Sequence, residues 1–242
     1  MSPLFEILFE DADLLVVNKP AGLVCHPTKG DQYSSLISRA RLYLPGGTPC
    51  LVNRLDRETG GVVVLGKHPA AAGELGRSWE LGLVEKEYLA LVHGWPAAAS
   101  GVLEYPLGKD EASPIAVKDC VRPDGASART EFAVEQRFTR PEGDFALVRV
   151  HPRTGRKHQI RIHLAHAGHP IVGDKIYGGD EDCYLALVED RLTAAQWERL
   201  ILPYQALHGC GVRFDWRGER REFRCEPEGW FQEFFRPWVA AG

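Results

Sequence analysis

Short β-type runs, each cut off by glycine, proline or acidic residues, constrain this fold more than any other feature of the sequence. Leu14-Leu15-Val16-Val17-Asn18 ends at Lys19-Pro20-Ala21-Gly22, and Val62-Val63-Val64-Leu65-Gly66 follows Gly60-Gly61. An apolar run of this length between breaks reads as a buried strand. Glu87–Gly94, Thr130–Phe138, Phe145–Pro152, Cys210–Trp216 and Glu222–Pro227 add five more strand-like segments. Helical signals are fewer. Ser34 or Ser35 can cap a helix carrying Leu36, Ile37, Ala40 and Leu44, and Pro69 can open one carrying Ala72, Leu75, Trp79 and Leu83. Gln159–His169 reads as a short helix ended by Gly168, and Thr193 with Gln196 has the capping-box pattern. Many strands with scattered helices predict an α+β fold with a mixed, mainly antiparallel sheet. No repeat or linker divides the 242 residues, so one domain over 1–242 is expected. The stretch 96–130, rich in Gly, Pro, Ala and Ser, is expected to hold irregular hairpins.

Composition narrows the class further. No apolar run reaches about 18 residues and the N-terminus lacks the pattern of a signal peptide, so a cytoplasmic protein without a membrane partner is expected. No two of the six cysteines are three apart, which removes a zinc knuckle and leaves buried thiols. A monomer is expected from the lack of an obvious exposed apolar helix. The net charge of −4 argues against nucleic acid until its distribution is considered. Arg149, Arg153, Arg156, Lys157, Arg161 and Lys175 face one acid, Asp174, in that segment, whereas Asp180–Glu198 carries six acids. A local basic stripe can hold phosphates on an acidic protein. It can equally be a solvated surface.

The segment richest in chemistry is Asn53-Arg54-Leu55-Asp56-Arg57-Glu58-Thr59-Gly60-Gly61. Flanking arginines keep Asp56 ionised and available as a nucleophile or base, and the glycines permit close backbone approach. Composition alone fits a solvated turn as well. A competing constellation, His163-x-x-His166-x-x-His169, could ligate zinc in a metal-dependent hydrolase. Gly168-His169-Pro170 breaks its helical spacing, and no general-base carboxylate lies beside it on the helix.

RLDRETGG followed by VVVLGK resembles the central motif of RluA-type RNA pseudouridine synthases. The resemblance extends to KPAGLVCHP at 19–27, KEYLALVHG at 86–94, RTGRKHQIRIHLAHAGHPIVGDKIYG at 153–178 and ALHG at 206–209, in the family's order. It implies the pseudouridine synthase fold and an isomerase that uses no cofactor and no metal. It implies an RNA partner, with ribosomal RNA ahead of transfer RNA. By the same resemblance Asp56 is the nucleophile, Tyr88 packs on the target uracil, and Arg161 pairs with the aspartate. Leu164 lines the pocket, and Arg54 enters the base stack when uridine flips out. Arg57 is an expected RNA contact, and Arg153, Arg156 and Lys157 on the stripe are expected to hold phosphates. Asn53 stands where the family usually has histidine, so altered packing or RNA contacts with retained chemistry are expected. The first strand starts so near Met1 that the S4 RNA-binding domain of many members is expected to be absent. A catalytically inactive RNA-binding module is the remaining alternative, and the joint presence of Asp56, Tyr88 and Arg161 argues against it.

Overall fold

A computed structural model describes residues 5–27 and 35–236. In chain order the elements begin β1 (Glu6–Glu10), β2 (Leu14–Lys19), α1 (Leu36–Tyr43), β3 (Cys50–Leu51), β4 (Gly60–Gly66), α2 (Pro69–Glu80) and β5 (Glu85–His93). They continue β6 (Ser100–Glu104), β7 (Leu107–Lys109), β8 (Asp119–Val121), β9 (Arg129–Arg140), β10 (Gly143–Pro152) and α3 (Gln159–His166). The last are α4 (Asp182–Val188), α5 (Ala194–Leu200), β11 (Leu207–Trp216), β12 (Glu219–Arg224) and α6 (Gly229–Phe235). The α+β architecture expected from the sequence is present. The chain divides into two compact units, residues 1–88 with 208–229, and residues 89–207 with 230–242. Each is discontinuous in sequence, which is why no linker is written. Among the described residues no helix is long and apolar enough to cross a membrane.

In the first unit β2 pairs antiparallel with β1 and β4, β3 with β4, and β11 with β12, while β11 runs parallel to β4. The period-2 alternation of strands explains the unbroken apolar runs. Leu15, Val17, Val63 and Leu65 face one core, with Leu36, Ile37 and Ala40 of α1. Leu14, Val16, Val62 and Val64 face another, with Ala71 and Leu75 of α2 and Phe214, Trp216 and Phe223. Both faces are covered, so apolar residues occupy every position. Ser35 caps α1 by accepting from the Ser38 amide; Ser34 lies outside the described residues. His68 caps α2 through Nδ1 and reaches Asp13 with Nε2 at 2.9 Å.

In the second unit β9 pairs antiparallel with β10 and β6, and β7 with β8 is the hairpin expected within 96–130. The helix α3 packs beside β8, β9 and β10. The capping box of Thr193 and Gln196 opens α5 as its pattern requires. All six cysteines are free thiols.

Candidate active site

The loop between β3 and β4 carries Asp56 and is held from three sides within the first unit. Asn53 fixes its start. Its side-chain amide donates to the Val62 carbonyl at 3.2 Å and accepts from the Val64 amide at 2.8 Å, so it acts as an extra rung beside β4. An asparagine in the histidine's place is thus a backbone clamp. The Arg57 carbonyl fixes the middle, accepting from the Gly22 amide at 2.9 Å and from Lys19 Nζ at 3.2 Å. Gly61 fixes the end. Its φ of 125° and the Gly209 carbonyl, 2.3 Å from where a Cβ would lie, admit only glycine where β4 meets β11.

Lys19 is a site residue that sequence reasoning missed. It is fully buried, and its three ammonium protons match three carbonyls, of Pro20, Leu23 and Arg57. Burial pulls its pKa down to about 8, opposed by Cys25, Glu228 and Asp56. A lysine after an apolar strand looks like a solvated strand end. Only the Pro-Ala-Gly turn that follows signals a buried role.

Asp56 is half-buried and Leu55 beneath it is buried. The half-buried Tyr88 packs against the core that contains Leu55, and its ring also faces Gly209, where a Cβ would lie 3.3 Å from Cε1. Burial raises the Tyr88 hydroxyl above its ordinary pKa, and the negative charge of Asp56 adds to the effect. The loop therefore places an aromatic face, a carboxylate and a buried cation together. Arg54 and Arg57 are exposed, and Arg57 Nε reaches the Gly22 carbonyl at 3.4 Å.

The 153–178 motif lies in the second unit, where α3 buries Arg161 and Leu164. The guanidinium is held edge-on by Asp174, with Nε to Oδ2 at 2.7 Å and Nη2 to Oδ1 at 2.8 Å, and lies 5.0 Å from the centre of the Tyr177 ring. Asp174 Oδ1 also accepts from the Ile176 and Tyr177 amides. Burial alone would raise Asp174, but the charge and hydrogen bonds of Arg161 hold it below its usual range. Asp174 is the second functional residue that the sequence reading passed over, counting it only as an acid in a basic stripe. Gln159 locks the preceding loop, accepting from Thr154 and the Arg156 amide and donating to the Arg129 carbonyl and Thr130.

The other cations of the stripe lie on the same unit, three of them paired with acids. Arg153 pairs with Glu131 at 2.6 Å, Lys157 with Asp119 at 2.8 Å, and Arg149 with Glu135. Lys175 is buried and donates to the Pro203 carbonyl at 2.7 Å. The exposed Arg156 gives Nε to the Ser127 carbonyl. Linear charge counting fails here because Glu131 and Glu135 come from β9, paired with β10, and Asp119 comes from β8. The histidine cluster does not converge. Both ring nitrogens of His163 are engaged, with the Thr130 hydroxyl and the Tyr105 carbonyl, and His169 Nδ1 bonds the His93 carbonyl. His163 is a buried core histidine with a lowered pKa, set first by desolvation.

The family described as RNA pseudouridylate synthase matches residues 13–166. An uncharacterized RNA pseudouridine synthase of Chloroflexus aurantiacus is 36% identical, over 78% of this chain and 62% of its own length. Ribosomal large subunit pseudouridine synthase D of Nitrosomonas europaea is 36% identical, over 84% of this chain and 56% of its own. The chain thus spans about three-fifths of the length of these relatives. The solved structure of human RNA pseudouridylate synthase domain containing 1 superposes with a TM-score of 0.72 at 25% identity, covering 93% of this chain and 83% of that one.

Proposed function

Because the chain belongs to the RNA pseudouridylate synthase family, we propose that it isomerises uridine to pseudouridine in RNA with Asp56 as the nucleophile. The observation that carries the reading is the placement of Asp56 beside the Tyr88 ring, on a loop fixed by Lys19, Asn53 and Gly61. The reaction breaks the N1–C1′ bond of uridine, turns the base and forms a C5–C1′ bond. The C5 proton is lost and N1 is left as N–H, so product and substrate are isomers and no electrons leave the pair. A carboxylate at the sugar carbon divides this into easier steps. Extruding the uridine from structured RNA costs a few kcal/mol, and stacking on an aromatic wall such as Tyr88 returns roughly 1–3 kcal/mol.

Arg161 is the proposed partner of the Asp56 carboxylate in the RNA-bound enzyme, with Leu164 as an apolar wall for the base. Its edge-on hold by Asp174 presets the guanidinium's direction, which a flexible lysine could not copy. Large-subunit ribosomal RNA is the proposed substrate, following the Nitrosomonas relative, with transfer RNA as second choice. A cytoplasmic monomer is part of the same reading.

Uridine tritiated at C5 releases its label only when the C5–C1′ bond forms. Wild-type protein should release it from unmodified large-subunit ribosomal RNA, and the release should survive dialysis against a chelator. Activity abolished by the chelator and restored by zinc overturns the cofactor-free reading. Label retained on ribosomal and transfer RNA alike overturns the activity itself.

A further inference from the structure

The Asp56 loop takes its shape from the turn Lys19–Leu23, because the Arg57 carbonyl receives both the Gly22 amide and Lys19 Nζ. What fixes that turn comes from the other end of the first unit's sequence. The Ala21 amide donates to Glu228 Oε2 at 3.0 Å, across 207 residues. Glu228 is half-buried, and its charge is one of those that hold up the Lys19 pKa. It also flanks Gly60, the first residue of β4. A Cβ there would lie 3.2 Å from Glu228 Oε2, 3.2 Å from His208 Nδ1 and 3.3 Å from the Lys19 carbonyl. One carboxylate therefore touches the turn that moulds the loop and the point where the loop joins β4.

We propose that Glu228 is a positioning residue for Asp56, acting through the Ala21 amide and the Lys19–Leu23 turn. The proposal rests on Asp56 being the catalytic group. It follows from the relay Glu228–Ala21–Gly22–Arg57, in which each link is a hydrogen bond or a peptide bond. If the relay loosens, the carboxylate wanders while the exposed arginines remain free to meet RNA. The effect then falls on the rate at saturation and not on affinity, since small misplacements of a reacting group are expensive in rate.

The test compares wild type, Glu228→Ala, Glu228→Gln and Glu228→Asp in single-turnover tritium release from large-subunit ribosomal RNA. Glu228→Ala should lower the saturating rate about tenfold, leaving the half-saturating RNA concentration within about twofold. Glu228→Gln keeps an acceptor for the Ala21 amide and should restore most of the rate. Glu228→Asp keeps the charge but retracts the acceptor, and should fall between. A saturating rate for Glu228→Ala near wild type overturns the proposal, as does a Gln variant as slow as Ala. Amide hydrogen exchange gives a readout independent of activity. Residues 21–23 and 57–59 should exchange faster in Glu228→Ala, and unchanged exchange there overturns the clamp even if the protein has no activity on this RNA. A wild type inert on all RNAs with faster exchange in the variant overturns the catalytic reading and leaves the clamp supported.

Discussion

The loop at 53–61 and the segment at 149–175 both look in sequence like carboxylate and cation mixtures, yet the fold treats their charges in opposite ways. In the loop the backbone is pinned and the two arginines are left exposed. Asp56 is half-buried, and among the described residues Arg54 and Arg57 have no carboxylate within ion-pairing distance. In the second segment the charges themselves are pinned. Arg149, Arg153, Lys157 and Arg161 each have an acid, and the last pair is buried. A group that must react or reach a ligand is held through its main chain. A group that must point in one direction is held through its side chain.

The sharpest way to break this comparison is Asp56→Asn. The amide is neutral and nearly isosteric, so the loop's backbone bonds remain. Tritium release should fall by roughly 10⁴-fold or more, as for other lost nucleophiles, with thermal stability within a few degrees of wild type. Turnover within about tenfold of wild type removes Asp56 from the chemistry.

Arg161 tests the opposite design. Arg161→Lys keeps the charge but loses the two-point hold on Asp174, and the saturating rate should drop by about 100-fold. Arg161→Ala leaves Asp174 buried without its cation and should destabilise the fold by about 3–5 kcal/mol in urea denaturation. A lysine variant with a near-normal saturating rate and a raised half-saturating RNA concentration shows instead that Arg161 serves as a phosphate contact.

The strands around the site were legible because each is a covered apolar run between breaking residues, and α1, α2, α3 and α5 were legible from caps and spacing. The seven-residue helices α4 and α6 were not. Asp182–Val188 has no side-chain cap bond, and both it and Gly229–Phe235 are too short to show a period. Motif resemblance pointed to Asp56 and Tyr88 on the first unit and to Arg161 on the second. The support around them was hidden, because Lys19, Glu228 and Asp174 are ordinary surface residue types made structural by contacts 13–207 residues away. Distance in sequence also explains the stripe, whose neutralising acids lie on β8 and β9.

Acid distinguishes the two regions thermodynamically. His208, beside Gly60, is buried and its pKa is lowered to about 4, first by desolvation and further by Lys19, against a bond to the Cys225 carbonyl. A folded pKa below the unfolded 6.5 means that the unfolded chain binds the proton first. The stability present above pH 6.5 is therefore lost as pH falls towards 4, by about 3 kcal/mol. Asp174 is lowered in its turn and loses its contribution only below the ordinary carboxylate range. The half-buried His93 and the buried His163 of the second unit add to the same acid loss, so the test is a difference. Urea midpoints of wild type and His208→Gln should diverge at pH 7 and converge on lowering the pH to 4.5. A constant gap places His208 in solvent contact.

The smallest effect concerns phosphate contacts, and it separates exposed cations that have acids from those that do not. Arg153 and Lys157 are half-exposed in their pairs with Glu131 and Asp119, and such pairs are worth only about 0–1 kcal/mol. A phosphate could therefore capture either cation. It would leave a carboxylate behind at the same spot, and the net attraction would be small. Among the described residues Arg54 and Arg57 have no such competitor, and they sit on the loop that presents Asp56. Each phosphate contact adds about 0.7–0.9 to the slope of log affinity against log salt. Measured in the Asp56→Asn background, where RNA is bound but not converted, Arg54→Ala with Arg57→Ala should flatten the slope by about 1.5. Arg153→Ala with Lys157→Ala should flatten it by less than about 0.5. Equal losses from the two pairs would mean that bound RNA draws Arg153 and Lys157 away from their acids, and that the second segment meets phosphate through the same cations that the free protein keeps neutral. An unchanged slope in the first pair would place the loop arginines on bases or sugars, leaving Arg156, whose Nε is tied to the Ser127 carbonyl, as the remaining exposed candidate of the predicted set.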